Sequence, residues 1–292
     1  MLTLEMRLFI RLFELGTFAA VSDEEGISPS AVSRVMTRLE TRLGVKLVHR
    51  STRRLVFTPE GHVLLGYARQ MTILADAAAA DIYQKAGQVK GHLRVNCGTA
   101  FAHYKLAPIL PEFLLRFPDV TIDVAVSDQR IDPMEEQIDV TIRVGSLQDS
   151  DLVVARLGTV KRIIAASPGY LERRGFPRTP ADLKNHNCLL LTGFAGQALW
   201  PMISDGVVEK VAVSGSVSSD SADTLLKMAI AGVGIIRLGD FLGEPALADG
   251  RLIKLLEGQH DPDPKPLSAL MLPGRQNIPR VRAFVDFLKE HV

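Results

Sequence analysis

The segment SPSAVSRVMTRLETRLG, residues 28–44, constrains the fold more than any other stretch, because it defines both ends of a helix and its buried face. Ser28 is a favoured N-cap residue, Pro29 suits the first helical position, and Gly44 is the usual left-handed stop. Apolar residues recur every three or four positions and predict the buried stripe, Val32, Val35, Met36, Leu39 and Leu43. The opposite face is then exposed and carries Ser30, Ser33, Arg34, Thr37 and Arg38.

Two helices are predicted before this segment. Residues 4–14 have a helical apolar period that ends at Gly16, and Thr17 can cap a short helix running through Glu25. Gly26 supplies the tight turn that follows. A helix, a short helix, a glycine turn and a capped helix, in that order, form the helix-turn-helix pattern.

A hairpin and a long helix are predicted next. Residues 46–50 and 55–58 favour two short strands around the polar tip Ser51-Thr52-Arg53-Arg54. Thr58 and Pro59 repeat the cap-plus-proline start and open a helix to about Ala86. Its apolar residues step by three and four, which suits pairing with a partner helix: Leu64, Tyr67, Met71, Leu74, Ala78 and Ile82.

The charge distribution indicates what this region binds. The formal net charge of the chain is only +1, yet residues 28–58 hold seven basic residues against the single acid Glu40. Such asymmetry favours a polyanion bound by one end of the chain. Short hydroxyl side chains with Arg34 on one helix face suit readout of the DNA major groove, while Arg38 could meet a phosphate. Arg53 and Arg54 at the hairpin tip would reach the backbone or the minor groove.

The remainder of the chain alternates strands with helices from Gly91 onward. This alternation predicts parallel sheets covered on both faces, and about 200 residues suit two lobes better than one sheet. Predicted strands include HLRVNCG, VTIDVAVSD, IDVTIRVGS, LVVARLG, KRIIAASP, VAVSGSVSS, GIIRLGDF and PLSALMLP. Helices are predicted between residues 99 and 118, at 168–174, in SADTLLKMAIAGVG and at 279–290.

The run AVSRVMTRLETRLGVKLVHRSTRRLVFTPEG strongly resembles the N-terminal domain of LysR-type transcriptional regulators. Four later segments resemble the effector domain of the same family: FPDVTIDVAVSD, DVTIRVGSLQDSDLV, AASPGYLERRGFPRTPADLKNHNCL and AGVGIIRLGDF. The resemblance covers essentially all 292 residues and is weakest around residues 193–211.

The resemblance implies an α/β protein of three parts. These are a winged helix-turn-helix over residues 1–58, a dimerising linker helix and hinge over 59–90, and an effector domain over 91–292. That domain would hold two Rossmann-like lobes, similar to type-2 periplasmic binding proteins, with a small molecule between them. Lobe I would span about 91–160 and 267–292, and lobe II about 161–266. The expected partners are double-stranded DNA, the effector, and further copies of the chain in a homodimer or homotetramer.

Matching the family's DNA contacts onto this chain selects Pro29, Ser30, Ser33, Arg34 and Arg53. The chain departs from the family in its second helix, where VSDEEG stands in place of an alanine-rich run with a basic residue. Asp23, Glu24 and Glu25 would repel phosphates. This helix is therefore not expected to contact the DNA backbone.

Candidate effector contacts lie where strands end and helices begin, because free N–H groups there favour an anion. Thr99, Ala100 and Phe101 follow the first strand of the effector domain, and Ser218, Ser219 and Asp220 precede a later helix. Thr99 and the serines are equally compatible with ordinary helix caps, and Asp220 suits an amine or hydroxyl. Arg143 ends a strand, where it would bind a carboxylate or pair with Asp128 or Asp139.

Several other functions are disfavoured. The N-terminus does not resemble a signal peptide, no stretch is apolar enough to span a membrane, and two cysteines form no disulfide framework, so we expect a cytoplasmic protein.

A redox sensor that used Cys97 and Cys188 would need a thiol with a depressed pKa, and neither cysteine has an adjacent basic residue. No metal-ligand spacing, P-loop or G-x-S-x-G pattern occurs, so we expect no cofactor and no enzyme activity. The alternatives are an architectural DNA binder without an effector and a small-molecule binding module.

Overall fold

The computed structural model describes residues 4–50, 55–85, 89–129, 132–134, 136–145, 151–193, 196–204 and 206–292. Contacts divide the chain into two compact units. Unit 1 comprises residues 1–90 with 274–279, and unit 2 comprises residues 91–273 with 280–292. No described helix has the length and apolar character needed to cross a membrane.

Unit 1 begins with three helices and a hairpin. Its elements are α1 (Leu4–Leu15), α2 (Phe18–Glu25), α3 (Pro29–Leu43), β1 (Val48–Arg50), β2 (Leu55–Phe57) and α4 (Pro59–Lys85). The predicted caps are confirmed: the Thr17 and Ser28 hydroxyls accept the amides of Ala20 and Ala31, and Gly26 and Gly44 end their helices at φ 66° and 72°. The hairpin pairs Val48 with Phe57, and its tip, Ser51–Arg54, lies outside the described residues.

The core of unit 1 confirms most of the predicted stripe of α3. Val32, Met36 and Leu39 are buried against α1. The prediction for Leu43 is wrong, since 44% of this residue is exposed, and Glu40 is buried in the stripe instead. The Glu40 carboxylate accepts the amides of Leu47 and Val48, which gives the buried charge its hydrogen bonds.

Unit 2 alternates strands and helices as expected. In chain order it contains β3 (Gly91–Cys97), α5 (Thr99–Phe101), a π-helical turn (Ala102–Leu106), α6 (Ala107–Arg116), β4 (Val120–Val126), β5 (Val140–Val144), β6 (Val153–Val160), β7 (Arg162–Ala166), α7 (Pro168–Arg174), a 3-10 helix (Pro180–Asn185), β8 (Cys188–Leu191), β9 (Leu199–Ser204), β10 (Val207–Ala212), β11 (Ser218–Ser219), α8 (Ala222–Ile230), β12 (Ile235–Gly239), α9 (Asp240–Ala248), β13 (Ile253–Leu255), β14 (Lys265–Met271) and α10 (Pro279–His291). A short 3-10 helix (Arg275–Asn277) of unit 1 precedes α10.

Two five-stranded sheets organise unit 2 and define its lobes. The sheet of lobe I has the order β4-β3-β5-β14-β6, and the sheet of lobe II has the order β11-β8-β12-β7-β13. The expected parallel sheets prove to be mixed, because β14 and β6 in lobe I, and β7 and β13 in lobe II, pair antiparallel. The chain crosses between the sheets directly from β6 to β7 and again from β13 to β14. Strands that enter a sheet without a helical crossover are free to run antiparallel.

Aromatic and aliphatic side chains fill the core on both sides of these sheets. In lobe I, the Phe113 ring packs edge-on against Phe284 and Phe287 of α10, with centroids 5.2 and 5.3 Å apart. In lobe II, one face of the sheet buries Trp200 and the other buries Leu225. Each lobe therefore has its own core, and Ala100 and Tyr104 of lobe I also pack against the core of lobe II.

The sequence prediction missed part of lobe II. VAVSGSVSS was expected to be one strand but contributes to two, β10 and β11. Between them, Gly215 passes so close to Cys188 that a Cβ there would lie 2.0 Å from the Cys188 carbonyl oxygen. The strands β8, β9 and β13 were not predicted. The helix α9, which contains Gly243 and Pro245, was not predicted either. The Gly243 position faces Ile163, and its burial there accounts for a residue that disfavours isolated helices.

Candidate nucleic-acid interface and effector site

The exposed face of α3 carries the residues predicted to contact DNA. Pro29, Ser30, Arg34, Thr37 and Arg38 are exposed, and Ser33 is half-buried. The Thr37 hydroxyl donates to the Ser33 carbonyl at 3.0 Å. Arg53 and Arg54, predicted for the hairpin tip, lie outside the described residues.

The ion pairs of unit 1 concentrate positive charge on this face. Within residues 4–49, Arg7, Arg11, Arg42 and Lys46 each form an ion pair with a glutamate. By contrast, no described residue forms an ion pair with Arg34 or Arg38. The two unpaired guanidinium groups of α3 are therefore available to an external anion.

The acidic end of α2 is largely neutralised from α1. Arg7 binds Glu25 at 2.9 Å, and Arg11 binds Glu24 at 2.6 Å as well as Glu14. These ion pairs offset the negative charge that Glu24 and Glu25 of the VSDEEG segment place beside α3. The same ion pairs connect α1 to α2.

The first candidate effector segment begins at the end of β3. The Thr99 amide donates to the Asp128 carboxylate at 2.9 Å, and a Cβ at Gly98 would lie 2.6 Å from the same oxygen. The cap of α5 is thus supplied by Asp128, whereas the Thr99 side chain does not cap the helix. Ala100 packs against the core of lobe II, and Phe101 is buried.

Arg143 lies beside this segment. Its guanidinium donates to the Asn96 side-chain oxygen at 2.6 Å and to the Gln129 and Ser127 carbonyls at 3.0 and 3.4 Å. Of the two acids expected as alternative partners, Asp139 accepts the Arg94 amide and Asp128 accepts the Thr99 amide. The structure thus brings Thr99 and Arg143 together around the loop 127–129.

The second candidate segment lies at the edge of lobe II. Ser218 and Ser219 form β11 and pair in parallel with Leu190 and Leu191. Ser221, rather than a residue of the predicted set, caps α8 by accepting the Thr224 amide, and Ser219 accepts the Ser221 amide. Asp220 is exposed. Since α5 contacts α8, the two candidate segments face the same junction between the lobes.

One contact across this junction was not foreseen. Asp223, buried in the first turn of α8, accepts the Tyr104 hydroxyl at 2.9 Å and Lys227 at 2.7 Å. Burial and this carboxylate raise the pKa of Tyr104, so its hydroxyl stays a donor. In the sequence, Asp223 is only an acidic residue in the first turn of a predicted helix, and such a residue is usually exposed on the surface.

Two family models match the chain. The LysR substrate binding domain matches residues 86–292, and the bacterial regulatory helix-turn-helix protein of the lysR family matches residues 4–62. The chain belongs to the LysR family of transcriptional regulators. The family prediction and the predicted α/β architecture of winged helix and two-lobed effector domain are thereby confirmed.

Similar LysR-type regulators extend over nearly the whole chain. The regulator CrgA of Neisseria meningitidis serogroup C (strain 8013) is 32% identical over 290 residues, covering 99% of this chain and 96% of CrgA. PtxR of Pseudomonas aeruginosa is 30% identical over 286 residues, covering 97% of this chain and 91% of PtxR. The solved structure of CrgA from Neisseria meningitidis superposes with a TM-score of 0.66 at 30% identity, covering 99% of this chain and 98% of that one. At 24% identity, the full-length structure of AphB from Vibrio cholerae shares the fold with a TM-score of 0.61.

Both cysteines of this LysR-type regulator are buried thiols. Burial raises the pKa of Cys97 to about 11 and that of Cys188 to about 12. Both thiols are buried and protonated at neutral pH, and a protonated thiol is a poor nucleophile. Among the described residues, no group of three His, Cys, Asp or Glu side chains is arranged to hold a metal ion.

Proposed function

We propose that this LysR-type regulator reads operator DNA with the exposed face of α3, and that a small molecule bound between its lobes changes that binding. The observation that carries the DNA part is the pairing of every other described basic residue in 4–49, which leaves Arg34 and Arg38 alone on α3. Arg34 would contact a guanine, Arg38 a phosphate, and Pro29, Ser30, Ser33 and Thr37 would line the groove. Arg53 and Arg54 of the hairpin tip would reach the adjacent backbone.

The proposed dimer forms through α4, within the proposed linker segment 59–90. Of the predicted stripe, Tyr67, Met71 and Leu74 are 63, 49 and 72% exposed. The prediction for Leu64 is wrong, because this residue packs against the core of unit 1, and Val63, which is 61% exposed, takes its place. Such a stripe on one helix suits an equivalent helix of a second copy. A dimer of this kind would place two α3 helices in successive major grooves, about one helical turn apart, in the cytoplasm where the chromosome lies.

The proposed effector lies where Thr99, Ala100, Phe101 and Arg143 of lobe I approach Ser218, Ser219 and Asp220 of lobe II. A carboxylate ligand would take over the Thr99 amide that Asp128 now occupies. Arg143 would then supply the countercharge, and the two lobes would close on the ligand.

Selection of bound fragments from random DNA, followed by fluorescence anisotropy, tests the DNA part. We expect Arg34→Ala to abolish specific binding, bringing the affinity for the selected operator down to that for random DNA. Arg42→Ala is the matched control, because Arg42 is bound to Glu5 at 2.7 Å and should keep the preference. If Arg34→Ala retains the wild-type ratio of operator to random affinity, α3 is not the reading helix.

Thermal shift with a panel of aliphatic and aromatic carboxylates tests the effector part. A carboxylate that binds at the Thr99 amide should bind more tightly to Asp128→Asn, because the competing charge is removed. It should bind at least tenfold more weakly to Arg143→Gln. A panel with no stabilisation of the wild type would favour an architectural DNA binder without an effector.

A further inference from the structure

A cavity of about 520 Å³ lies between the two lobes, at the point where the chain first crosses from one to the other. Its walls are the end of β6, the helix α9, Lys105 of the π-helical turn and Lys254 of β13. None of the seven residues assigned to the effector site lines it. Its volume is typical of small-molecule sites, which span about 300–1,000 Å³.

The floor of this crossover cavity is apolar. Val160 and Leu267 of lobe I are buried there, and Ile163, Phe241 and Leu247 of lobe II are half-buried. The pairing of β6 with β14 shifts register beside it, with Gly158 opposite Leu267 and Arg156 opposite Ser268. A bulge of this kind bends a strand and opens space beside it.

The mouth of the cavity carries charges of both signs. Lys105 is half-buried, whereas Lys254 and Glu244 are exposed, and no described residue forms an ion pair with any of the three. Asp240 also lines the cavity, and its carboxylate accepts the amides of Phe241 at 2.9 Å and Lys161 at 3.4 Å. Two lysine ammonium groups and two side-chain carboxylates therefore surround one apolar floor, which the main chain of Val292 also lines.

We propose that the crossover cavity binds a free α-amino acid with an apolar side chain. The carboxylate of the amino acid would pair with Lys105 and Lys254, its ammonium group with Glu244 or Asp240, and its side chain would cover the apolar floor. A simple carboxylate gains from the lysines but is repelled by the acids, and a simple amine has the reverse problem, so a zwitterion fits best. Lys161 alone joins β6 to β7, and an occupant touching both lobes beside it would favour one arrangement of the lobes.

Isothermal titration of the full-length protein with three probes of nearly equal size tests the ligand class. L-Phenylalanine contains both charges, 3-phenylpropionate lacks the amine, and phenethylamine lacks the carboxylate. We expect L-phenylalanine to bind and each single-charge probe to bind at least tenfold more weakly. Absence of L-phenylalanine binding, or equal binding of 3-phenylpropionate, would overturn the proposal.

Variants then locate the bound amino acid. Lys105→Gln and Glu244→Gln should each weaken L-phenylalanine binding at least tenfold, and Ala248→Phe at the rim should block it. Lys184→Gln, which removes an exposed lysine outside the cavity, should leave binding unchanged. Retained operator affinity shows that each variant is folded.

The proposed effector site provides the decisive comparison. Asp128→Asn should not alter L-phenylalanine affinity if the crossover cavity is the site. If Asp128→Asn alters that affinity and Lys105→Gln does not, the amino acid occupies the effector site, the crossover proposal is wrong, and the proposed function stands. Loss of operator preference in Arg34→Ala remains a separate test of the proposed function.

Discussion

At the scale of single residues, Glu40 shows how a buried charge is stabilised in unit 1. Its carboxylate is 5% exposed and accepts Lys46 Nζ at 2.7 Å together with the amides of Leu47 and Val48 at 3.0 and 3.3 Å. Burial acts to raise the pKa of Glu40, but these hydrogen bonds outweigh it, and the pKa is lowered. The residue connects the end of α3 to the start of the hairpin.

We expect Glu40→Gln to destabilise unit 1 by about 1–3 kcal/mol at pH 7, because charged hydrogen bonds to two buried amides are weakened. The contribution is present above the unfolded glutamate pKa of about 4.3 and is lost as the pH falls through the lower pKa of the folded state. Hydrogen exchange of the Leu47 and Val48 amides measures the effect. Asp23→Asn, at an exposed acid of the same unit, is the control, and equal exchange in both variants would contradict this role.

His260 is a second residue whose charge is set by its surroundings. Arg237 Nε donates to His260 Nε2 at 2.9 Å, so the ring is neutral, and Arg237 also contacts Asp263 at 3.4 Å. Burial, followed by the charge of Arg237, lowers the pKa of His260 to about 4. Asp263 has a left-handed backbone, with φ 43°, in the second crossover between the lobes.

Lobe II should therefore lose stability between about pH 6.5 and 4. The unfolded histidine takes up its proton near pH 6.5 but the folded one only near pH 4, so acidification favours the unfolded chain by at most about 3 kcal/mol. Urea unfolding followed by the single tryptophan, Trp200 of lobe II, measures this at pH 7 and pH 5. His260→Gln should reduce the loss, whereas His92→Gln in lobe I should not; an unchanged loss in His260→Gln would assign it to other groups.

At the scale of elements, the proposed reading helix α3 would separate the reading of bases from the neutralisation of phosphates. Arg34 and Arg38 are four residues apart, both exposed and both without an ion-pair partner among the described residues. Their positions along the helix nevertheless differ. The N-terminal part of a recognition helix contacts base edges, and residues further along meet the backbone.

Arg38→Ala should weaken binding to operator and random DNA alike. It should also lower the slope of log affinity against log salt by about one, because one phosphate contact is lost. Fluorescence anisotropy at several salt concentrations gives both quantities. The complementary outcome, a changed preference with an unchanged salt slope, would mean that Arg38 reads a base.

At the scale of the whole molecule, the proposed dimer contact through the exposed stripe of α4 would link assembly to DNA affinity. A monomer contacts one half-site, whereas a dimer joins two and gains from the high effective concentration of the second. Tyr67, Met71 and Leu74 of this stripe are exposed and are not part of the core of unit 1.

We expect Tyr67→Glu to yield monomers, because like charges would face each other across the helix pair, and to lower operator affinity by about a hundredfold or more. Sedimentation equilibrium and anisotropy measure the two effects. Phe176→Glu places the same charge at an exposed aromatic residue of lobe II, away from α4, and should stay dimeric. A dimeric Tyr67→Glu protein would place the dimer contact elsewhere.

Sequence patterns predicted the helices of unit 1 almost to the residue. Caps and glycine stops act locally, so Thr17, Gly26, Ser28 and Gly44 define their helix ends without knowledge of distant residues. The helical period of apolar residues could not show that Glu40 is buried and Leu43 exposed. The burial of Glu40 depends on its hydrogen bonds to the amides of Leu47 and Val48, which follow the helix. In lobe II, β8, β9 and α9 were missed for the same reason, since packing across the sheet overrides weak local preference.

The sequence by itself determined the family, the alternation of strands and helices, and the face of α3 that meets solvent. These follow from local propensity and from motifs read along the chain. Only the tertiary structure decided that Arg34 and Arg38 form no ion pair with any residue it describes, that Asp128 accepts the Thr99 amide, and that Lys105 and Glu244 line one cavity. Each of these depends on residues far apart in sequence, whose distances are defined only when the sheets and helices pack.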